Sequence, residues 1–289
     1  MNTLRSISFR TQVCAVIGNP VAHSLSPAIH NAAFEFLGLD FIYVACKVDD
    51  VKGALRGVRA INNFRGLSVT IPHKIEAMKY VDEVAEVDRS IGAINTVIHE
   101  QDKLIGLGTD GPGALKAIVD AGVDLEAKNI LMLGAGGAAR AIAFTLARRT
   151  GLRELSILDV NETLLQGLTA DLRNGTNAAI NAEPLTQKSL AAAMENARVI
   201  IHCTPIGMHP NENASLIPAE LFRPEQVVFD IVYTPLETKL LTEARSRGCT
   251  VIPGVEMFIN QAVLQFEHFT GVAAPIEVMR RVLMEHLQP

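Results

Sequence analysis

Apolar runs in the first third of the chain alternate with segments of helical periodicity. Short runs rich in β-branched residues predict strands, and apolar positions spaced three and four residues apart predict helices between them. The predicted strands are Val13–Ile17, Phe41–Val48, Gly66–Thr70, Ile94–His99 and Lys103–Gly106, and the predicted helices are Ser26–Leu37, Val51–Ala60 and Lys74–Val81. This alternation is typical of an α/β domain.

A second alternating region follows the glycine-rich stretch GTDGPG at residues 108–113, where we expect a domain boundary. A helix is predicted at 114–121, and apolar helices near 257–269 and 276–287 close the chain. The predicted strands of this region, after an apolar run that begins at Asn129, are Leu155–Leu158, Arg198–Cys203, Val227–Asp230 and Thr250–Ile252. The pattern again indicates an α/β domain.

Composition narrows the possible functions. The chain has 289 residues, 48% of them hydrophobic, which is enough for two domains with substantial cores. A net charge of −5 without a basic cluster argues against nucleic acid and anionic membranes as partners, so we expect a small molecule. The first ten residues lack the apolar core of a signal peptide, and no stretch is apolar enough to span a membrane.

The cysteines give no sign of a disulfide framework or a zinc site, because each stands singly in an apolar run. They are Cys14, Cys46, Cys203 and Cys249. We therefore expect no metal and a cytoplasmic location.

A glycine motif marks the start of the second region. Residues 133–139 read LGAGGAA and fit the pattern G-x-G-x-x-A between a strand and a helix, where glycines let the backbone approach a pyrophosphate. The predicted dinucleotide contacts are Gly134, Gly136, Gly137 and Ala138. The alternative is an ordinary glycine-rich turn in an α/β protein.

Asp159 stands about 20 residues beyond this motif, at the end of a predicted strand, where the ribose contact is expected. Its carboxylate would accept hydrogen bonds from both ribose hydroxyls of NAD and repel the 2′-phosphate of NADP. The next residues, Val160 and Asn161, supply no cation, so the sequence favours NAD over NADP. The alternative for Asp159 is a helix cap.

Two serines stand where the first helix is expected to begin, in the stretch GNPVAHSLSP from Gly18. Ser26 followed by Pro27 is a normal helix start, with the serine as the cap. Ser24 is not needed for capping. A helix N-terminus with two hydroxyls also suits an anion such as a carboxylate, so both interpretations stay open at this point.

Two charged residues are candidates for acid–base chemistry. An enzyme that oxidises an alcohol needs a group that accepts the hydroxyl proton. Lys74 ends the stretch SVTIPHK after an apolar strand, and Asp110 lies in the domain junction. Taken singly, a solvated helix lysine and a turn aspartate are the commoner roles.

Considered together, the motifs resemble those of the shikimate dehydrogenase family, which includes the quinate/shikimate dehydrogenases. The resemblance runs nearly from end to end. It rests on GNPVAHSLSP from Gly18, SVTIPHK from Ser68, GAINT from Gly92, TDG from Thr109, GAGGAAR from Gly134, CTPIGM from Cys203, DIVYTP from Asp230 and NQA from Asn260.

The resemblance implies an N-terminal α/β substrate-binding domain, 1–110, and a C-terminal Rossmann dinucleotide-binding domain, 111–254. Helices at about 255–289 are candidates for packing back on the first domain. It also implies Lys74 and Asp110 as the catalytic pair, and it leaves open which of them is the base. The implied substrate contacts are Ser24 and Ser26 for a carboxylate and Thr70, Asn95, Tyr233 and Gln261 for ring hydroxyls, and Thr204 and Gly254 are further cofactor contacts.

Several positions depart from the family pattern. Gly108 replaces a common asparagine, His73 a common phenylalanine, and His202 a frequent asparagine. The segment 257–261, MFINQ, differs from the usual M-L-V-x-Q. These departures bear on fine specificity, and His73 is expected to be a partly exposed histidine at a helix start.

The sequence thus predicts a cytoplasmic NAD-preferring dehydrogenase for an alicyclic hydroxy acid, interconverting shikimate and 3-dehydroshikimate, as a monomer or homodimer. Quinate or an aminoshikimate-type compound is the alternative substrate. NADP-dependent biosynthetic shikimate dehydrogenase is an alternative that Asp159 disfavours. A non-catalytic dinucleotide-binding sensor would not need the serine, lysine and aspartate set.

Overall fold

The computed structural model describes residues 7–287, and the chain forms two compact units. The first unit takes the chain up to Thr109 and again from Ala262, and the second is Asp110–Gln261. Each unit is built on one six-stranded sheet. Helices alternate with the strands in both units, so the expected α/β fold class is confirmed.

The first unit has a mixed sheet in the order β2-β1-β3-β5-β6-β4. Strand β1 runs parallel to β2 and β3, whereas β5 is antiparallel to β3 and β6. The strands are β1 Gln12–Gly18, β2 Phe41–Lys47, β3 Phe64–Val69, β4 Glu83–Val84, β5 Thr96–Glu100 and β6 Lys103–Leu107. The helices that connect them are α1 Ser26–Phe36, α2 Val51–Arg59 and α3 Glu86–Ile91.

One predicted helix of this unit is wrong. The segment expected as helix 74–81 forms turns followed by a short 3-10 helix, Ala77–Tyr80. The carbonyl of Lys74 accepts a hydrogen bond from the backbone N–H of Ile94 at 2.9 Å. This long-range bond uses the acceptor that a continuing α-helix would need, so tertiary pairing overrides the local pattern.

The second unit has a parallel sheet in the order β12-β11-β10-β7-β8-β9. This is the doubly wound order in which the direction of winding reverses between β7 and β10. The strands are β7 Asn129–Leu133, β8 Glu154–Asp159, β9 Ala179–Pro184, β10 Val199–His202, β11 Val227–Asp230 and β12 Thr250–Ile252. The helices are α4 Asp110–Asp120, α5 Gly137–Arg149, α6 Glu162–Gly175, α7 Gln187–Asn196 and α8 Lys239–Ser246.

The chain ends in two helices, α9 Gly254–Thr270 and α10 Ile276–Leu287. The division between the units falls within α9, after Gln261. In the first unit α10 packs against α1. Among residues 7–287, no helix combines the length and apolar character that crossing a membrane would require.

An aromatic cluster in the first unit surrounds a histidine. His30 is 0% exposed and stacks on Tyr43 at 4.4 Å between ring centroids, with an interplanar angle of 9°. Phe34 and Phe266 lie at 6.2 and 6.0 Å. Neither ring nitrogen of His30 has a hydrogen-bond partner within the described residues. Burial lowers the pKa of His30 to about 3, so the imidazole is neutral in the folded protein.

We expect this histidine to make the fold sensitive to acid. Between its ordinary pKa of 6.5 and the folded value of about 3, the unfolded chain binds more protons, so stability falls as pH falls. At pH 5 the loss attributable to His30 is about 2 kcal/mol relative to pH 7.5. Urea midpoints at the two pH values should therefore differ less in His30→Phe than in the wild type.

His268→Phe is the matched control, because His268 is an exposed residue of α9. It should keep the wild-type pH response. If His30→Phe loses as much stability as the wild type between pH 7.5 and 5, the buried neutral histidine is not a source of the acid sensitivity.

Candidate active site

The glycine loop after β7 has the geometry of a phosphate-binding turn. Gly134 has φ +113°, which other residues rarely adopt, and a Cβ there would lie 2.9 Å from the carbonyl oxygen of Cys203. Nothing lies within 4 Å of a Cβ built on Gly136, and helix α5 begins at the next residue, Gly137. Open space beside free N–H groups at a helix N-terminus fits a dinucleotide pyrophosphate.

Asp159 joins this loop from the end of β8. Its Oδ2 accepts the backbone N–H of Ala135 at 2.6 Å, and its Oδ1 accepts that of Asn161 at 2.7 Å. The side chain that caps α6 belongs to Asn161, which accepts from Leu164, so the alternative of Asp159 as the helix cap is wrong. Each carboxylate oxygen keeps a further lone pair for a ligand hydroxyl.

Three further residues expected at the ligands lie at the carboxyl edge of the same sheet. Thr204 places its methyl carbon 3.3 Å from a Cβ built on Gly134. A Cβ on Gly254 would collide with backbone carbonyl groups of residues 231 and 232. This close packing of the backbone requires glycine at position 254. Tyr233 packs its ring on Phe258 at 4.5 Å between centroids, and burial raises the pKa of its phenol.

Of the two serines at the start of α1, Ser24 accepts a backbone N–H and Ser26 does not act as the cap. Helix α1 begins at Ser26, with Pro27 in its first turn, but Ser26 makes no side-chain cap bond. Instead Ser24 Oγ accepts the Ser26 backbone N–H at 3.3 Å. Ser26 is 5% exposed and its side chain lies near the Tyr43 hydroxyl. The prediction of Ser26 as the cap is thus wrong, because its hydroxyl is drawn into the core.

Thr70, Lys74 and Asn95 are brought together at the carboxyl end of β3. Thr70 directly follows the strand, and the last strand residue, Val69, donates its backbone N–H to the carbonyl of Asn95 at 2.7 Å. The neighbouring Ile94 donates to the carbonyl of Lys74 at 2.9 Å. Lys74 is half-buried, in a turn rather than at a helix start.

Asn95 is the end of a buried polar network. The residue is 4% exposed, its Oδ1 accepts the backbone N–H of Thr109 at 2.7 Å, and its Nδ2 donates to Thr109 Oγ1 at 2.9 Å. Gln265 donates from Nε2 to the Asn95 carbonyl at 3.2 Å and to Thr96 Oγ1 at 2.9 Å. Thr109 thereby fixes the side chain of Asn95, and Gln265 holds its backbone carbonyl.

The network continues to Ser26 through residues that the sequence analysis missed. Gln265 Oε1 accepts from Ser68 Oγ at 2.6 Å, and Ser68 Oγ accepts from the Tyr43 hydroxyl at 2.5 Å. Tyr43 also lies near Ser26, as described above. The signal that could have revealed Gln265 is its position one helical turn after Gln261 on α9.

Asp110 and Gln261 belong to the second unit. Asp110 is 5% exposed and is the first residue of α4, so the prediction of a helix from 114 and a turn at 110 is wrong. A carboxylate there is favoured by the helix dipole. Gln261 is 8% exposed and donates from Nε2 to the Phe258 carbonyl at 2.8 Å.

Two of the departures from the family pattern have a structural explanation. His73 is 5% exposed and its Nε2 lies 2.7 Å from the Val48 carbonyl, to which it donates, so the expected partly exposed histidine is wrong. A Cβ on Gly108 would lie 2.6 Å from Oδ1 of Asp88. Any larger residue at 108 therefore requires Asp88 to move.

The fold and the glycine loop together define a dinucleotide-binding oxidoreductase. Family models match at two places: the shikimate dehydrogenase substrate binding domain at residues 16–97 and the shikimate 5′-dehydrogenase C-terminal domain at residues 254–284. A shikimate dehydrogenase (NADP(+)) of Alkaliphilus oremlandii is 40% identical over 283 residues, covering 96% of this chain and 98% of its own. The chain therefore belongs to the shikimate dehydrogenase family.

Solved structures agree with this membership. Shikimate 5-dehydrogenase of Listeria monocytogenes, in complex with shikimate and NAD, has a TM-score of 0.89 at 33% identity and covers 96% of this chain and 98% of its own. Quinate dehydrogenase of Corynebacterium glutamicum, in complex with NAD, has a TM-score of 0.87 at 27% identity, covering 95% and 99%. The relatives thus include proteins named for either dinucleotide.

We expect replacement of Gly134 to lower stability and replacement of Gly136 to lower NADH affinity. Gly134→Ala places a side chain at φ +113° and against the Cys203 carbonyl, so the melting temperature should fall by several degrees. Gly136→Ala has open space and should melt like the wild type, yet weaken NADH binding about tenfold or more because its methyl occupies the ligand's side of the loop.

Thermal melts and fluorescence titration with NADH measure the two effects. Gly167→Ala, on α6 with nothing within 4 Å of the added carbon, is the matched control. It should leave NADH affinity unchanged and should not lower the melting temperature, because alanine is the better helix former. Normal NADH affinity in a folded Gly136→Ala protein would argue against a pyrophosphate at this loop.

Proposed function

We propose that this protein is an NAD-preferring dehydrogenase that interconverts shikimate and 3-dehydroshikimate. The observation that carries the substrate assignment is the polar cluster at the carboxyl end of β3. Backbone hydrogen bonds join Val69, the residue before Thr70, to Asn95, and Ile94, the residue before Asn95, to Lys74. A polyol in a closed site needs a partner for each hydroxyl, since an unpaired one costs about 1 kcal/mol or more. Neutral Thr and Asn side chains beside a lysine suit such a ring.

The remaining substrate contacts follow from the family resemblance. Ser24 and Ser26 would bind the ring carboxylate at the start of α1. Ser24 is the better placed of the two, because it is half-exposed whereas Ser26 is buried on Tyr43. Tyr233 and Gln261 are proposed as further hydroxyl contacts.

Lys74 and Asp110 are the proposed catalytic pair. When bound, the nicotinamide supplies the hydride acceptor for alcohol oxidation. As the hydride leaves the carbinol carbon, the hydroxyl must give up its proton, and the pair accepts it. The family resemblance leaves open which member of the pair is the base.

Asp159 supports NAD as the preferred cofactor. Its carboxylate is anchored to the glycine loop through Ala135 and retains acceptor capacity for the adenosine ribose hydroxyls. A 2′-phosphate would lie within a few ångströms of this charge, and like charges so placed repel by about 1 to 4 kcal/mol. Val160, the next residue, is 78% exposed and uncharged. The cytoplasm is the proposed location, since the four cysteines are free.

Lys74→Met tests the chemistry. The wild type should reduce NAD when mixed with shikimate, and the variant should lose kcat by about 100-fold or more while still binding shikimate, because positioned proton transfer contributes about that much. Lys79→Met, an exposed lysine in the following 3-10 helix, is the control and should keep full kcat.

Running quinate beside shikimate in the same assay separates the two substrates. Turnover of quinate alone would replace the proposed substrate. Turnover of neither would favour a dinucleotide-binding sensor. A kcat of Lys74→Met close to that of the wild type would remove Lys74 from the catalytic pair.

Charge substitutions at the end of β8 test the cofactor. The wild type should prefer NAD to NADP by at least about tenfold in kcat/KM. Asp159→Asn should lower this ratio, because it weakens the ribose contact with NAD and relieves the repulsion of NADP. Adding Val160→Arg should lower the ratio further, because arginine pairs with the 2′-phosphate. Asp120→Asn, which removes an exposed carboxylate on α4, should leave the ratio unchanged. A wild-type preference for NADP would overturn the assignment of Asp159.

A further inference from the structure

A buried chain of hydrogen bonds links the ends of two neighbouring strands in the second unit. His202 ends β10 and Asp230 ends β11, opposite each other in the sheet register. They are 1% and 0% exposed, and His202 Nδ1 donates to Asp230 Oδ1 at 2.8 Å. The other ring nitrogen, Nε2, lies 2.5 Å from Oγ1 of Thr204.

The hydrogen-bond partners of Asp230 fix the orientation of the imidazole. Asp230 Oδ1 also accepts the backbone N–H of Val232 at 3.0 Å, and Oδ2 accepts the Thr238 hydroxyl at 2.7 Å. All three partners are donors, as an ionised carboxylate requires. The proton of the ring is therefore on Nδ1, and in the neutral imidazole Nε2 accepts the hydroxyl proton of Thr204.

Thr204 is held between this histidine and the glycine loop. Its Oγ1 bonds the ring and accepts the backbone N–H of Ile206 at 3.3 Å, while its methyl carbon lies 3.3 Å from a Cβ built on Gly134. Fixing the hydroxyl fixes χ1, and hence the face that the threonine turns to Gly134.

We propose that His202 and Asp230 are positioning residues for the dinucleotide, which act by locking Thr204 against the glycine loop. The inference rests on the proposed function only in requiring a nicotinamide dinucleotide, and it goes beyond that function in assigning roles to two buried residues. Asp230 also ties the loop after β11 through Val232 and Thr238, so one carboxylate orders both loops at this edge of the sheet.

Two amide substitutions at position 202 separate the contact with Asp230 from the contact with Thr204. The Nδ2 of asparagine stands the same number of bonds from Cβ as histidine Nδ1, so H202N keeps the donor to Asp230 and loses Thr204. The Oε1 of glutamine stands the same number of bonds from Cβ as histidine Nε2 and is likewise an acceptor, so H202Q keeps the acceptor for the Thr204 hydroxyl and loses the donor to the buried carboxylate. A structural role alone predicts that both variants are affected through stability.

The test is titration of each folded protein with NADH, and separately with NADPH, together with thermal melts. H202N should melt close to the wild type and raise the Kd for NADH about 5- to 10-fold, and T204V should do the same. H202Q should show the opposite pattern, with a lower melting temperature and a Kd near that of the wild type. Both dinucleotides should weaken by the same factor, because the 2′ position is not touched.

The double variant H202N/T204V decides whether the histidine acts through the threonine. We expect its Kd to match that of either single variant, since both remove one shared contact. H209N, an exposed substitution in the following loop that keeps a donor for Glu212 in place of Nδ1, is the control and should bind like the wild type. If H202N does not fold, a raised Kd in T204V with a normal Kd in H202Q supports the inference, and the reverse overturns it.

Three results would each overturn the inference. They are a Kd for NADH in the double variant raised by the product of the two single effects, an unchanged Kd in H202N, and a wild type that does not bind NADH. Failure of the proposed function gives a different result. A wild type that binds NADH but oxidises no shikimate contradicts the proposed substrate and leaves the role of His202 standing.

Discussion

The close approach of two backbone segments determines the geometry of the second unit at its ligand edge. Gly134 directly follows β7 and has a positive φ. Its α-carbon lies so near the Cys203 carbonyl that a side chain on residue 134 would not fit. The parallel pairing of β7 with β10 enforces this approach, since His202 lies opposite Leu133. The glycine loop, the Asp159 carboxylate that ties it and the Thr204 side chain beside it all depend on this contact.

In the first unit a buried polar network does comparable work. Hydrogen bonds run from Tyr43, beside Ser26, through Ser68 and Gln265 to Asn95. In a region of low dielectric each of these polar groups would be costly if left unpaired, so the chain of partners makes one arrangement strongly preferred. The residues proposed to meet the substrate are thereby held by residues that do not meet it, which is how a polar site keeps its shape before a ligand arrives.

Two carboxylates of the second unit are stabilised by hydrogen-bond donors. The proposed cofactor preference rests on the Asp159 carboxylate at the end of β8. Each of its two oxygens accepts one backbone N–H group. Buried Asp230 is likewise surrounded by donors, and its negative charge, after burial itself, raises the pKa of the neighbouring Cys203 thiol. In each case backbone and hydroxyl donors stabilise an anion whose position then constrains a loop.

The sequence by itself determined the α/β class, the glycine loop and the family, because these depend on local periodicity and on residue types in fixed order. It could not place Ser26 or His73 correctly, since capping and burial depend on partners distant along the chain. Helix 74–81 was wrong for the same reason: Ile94 takes the carbonyl of Lys74. Only the tertiary structure decided these points, because buried polar groups bond whichever partner the folded chain brings within reach.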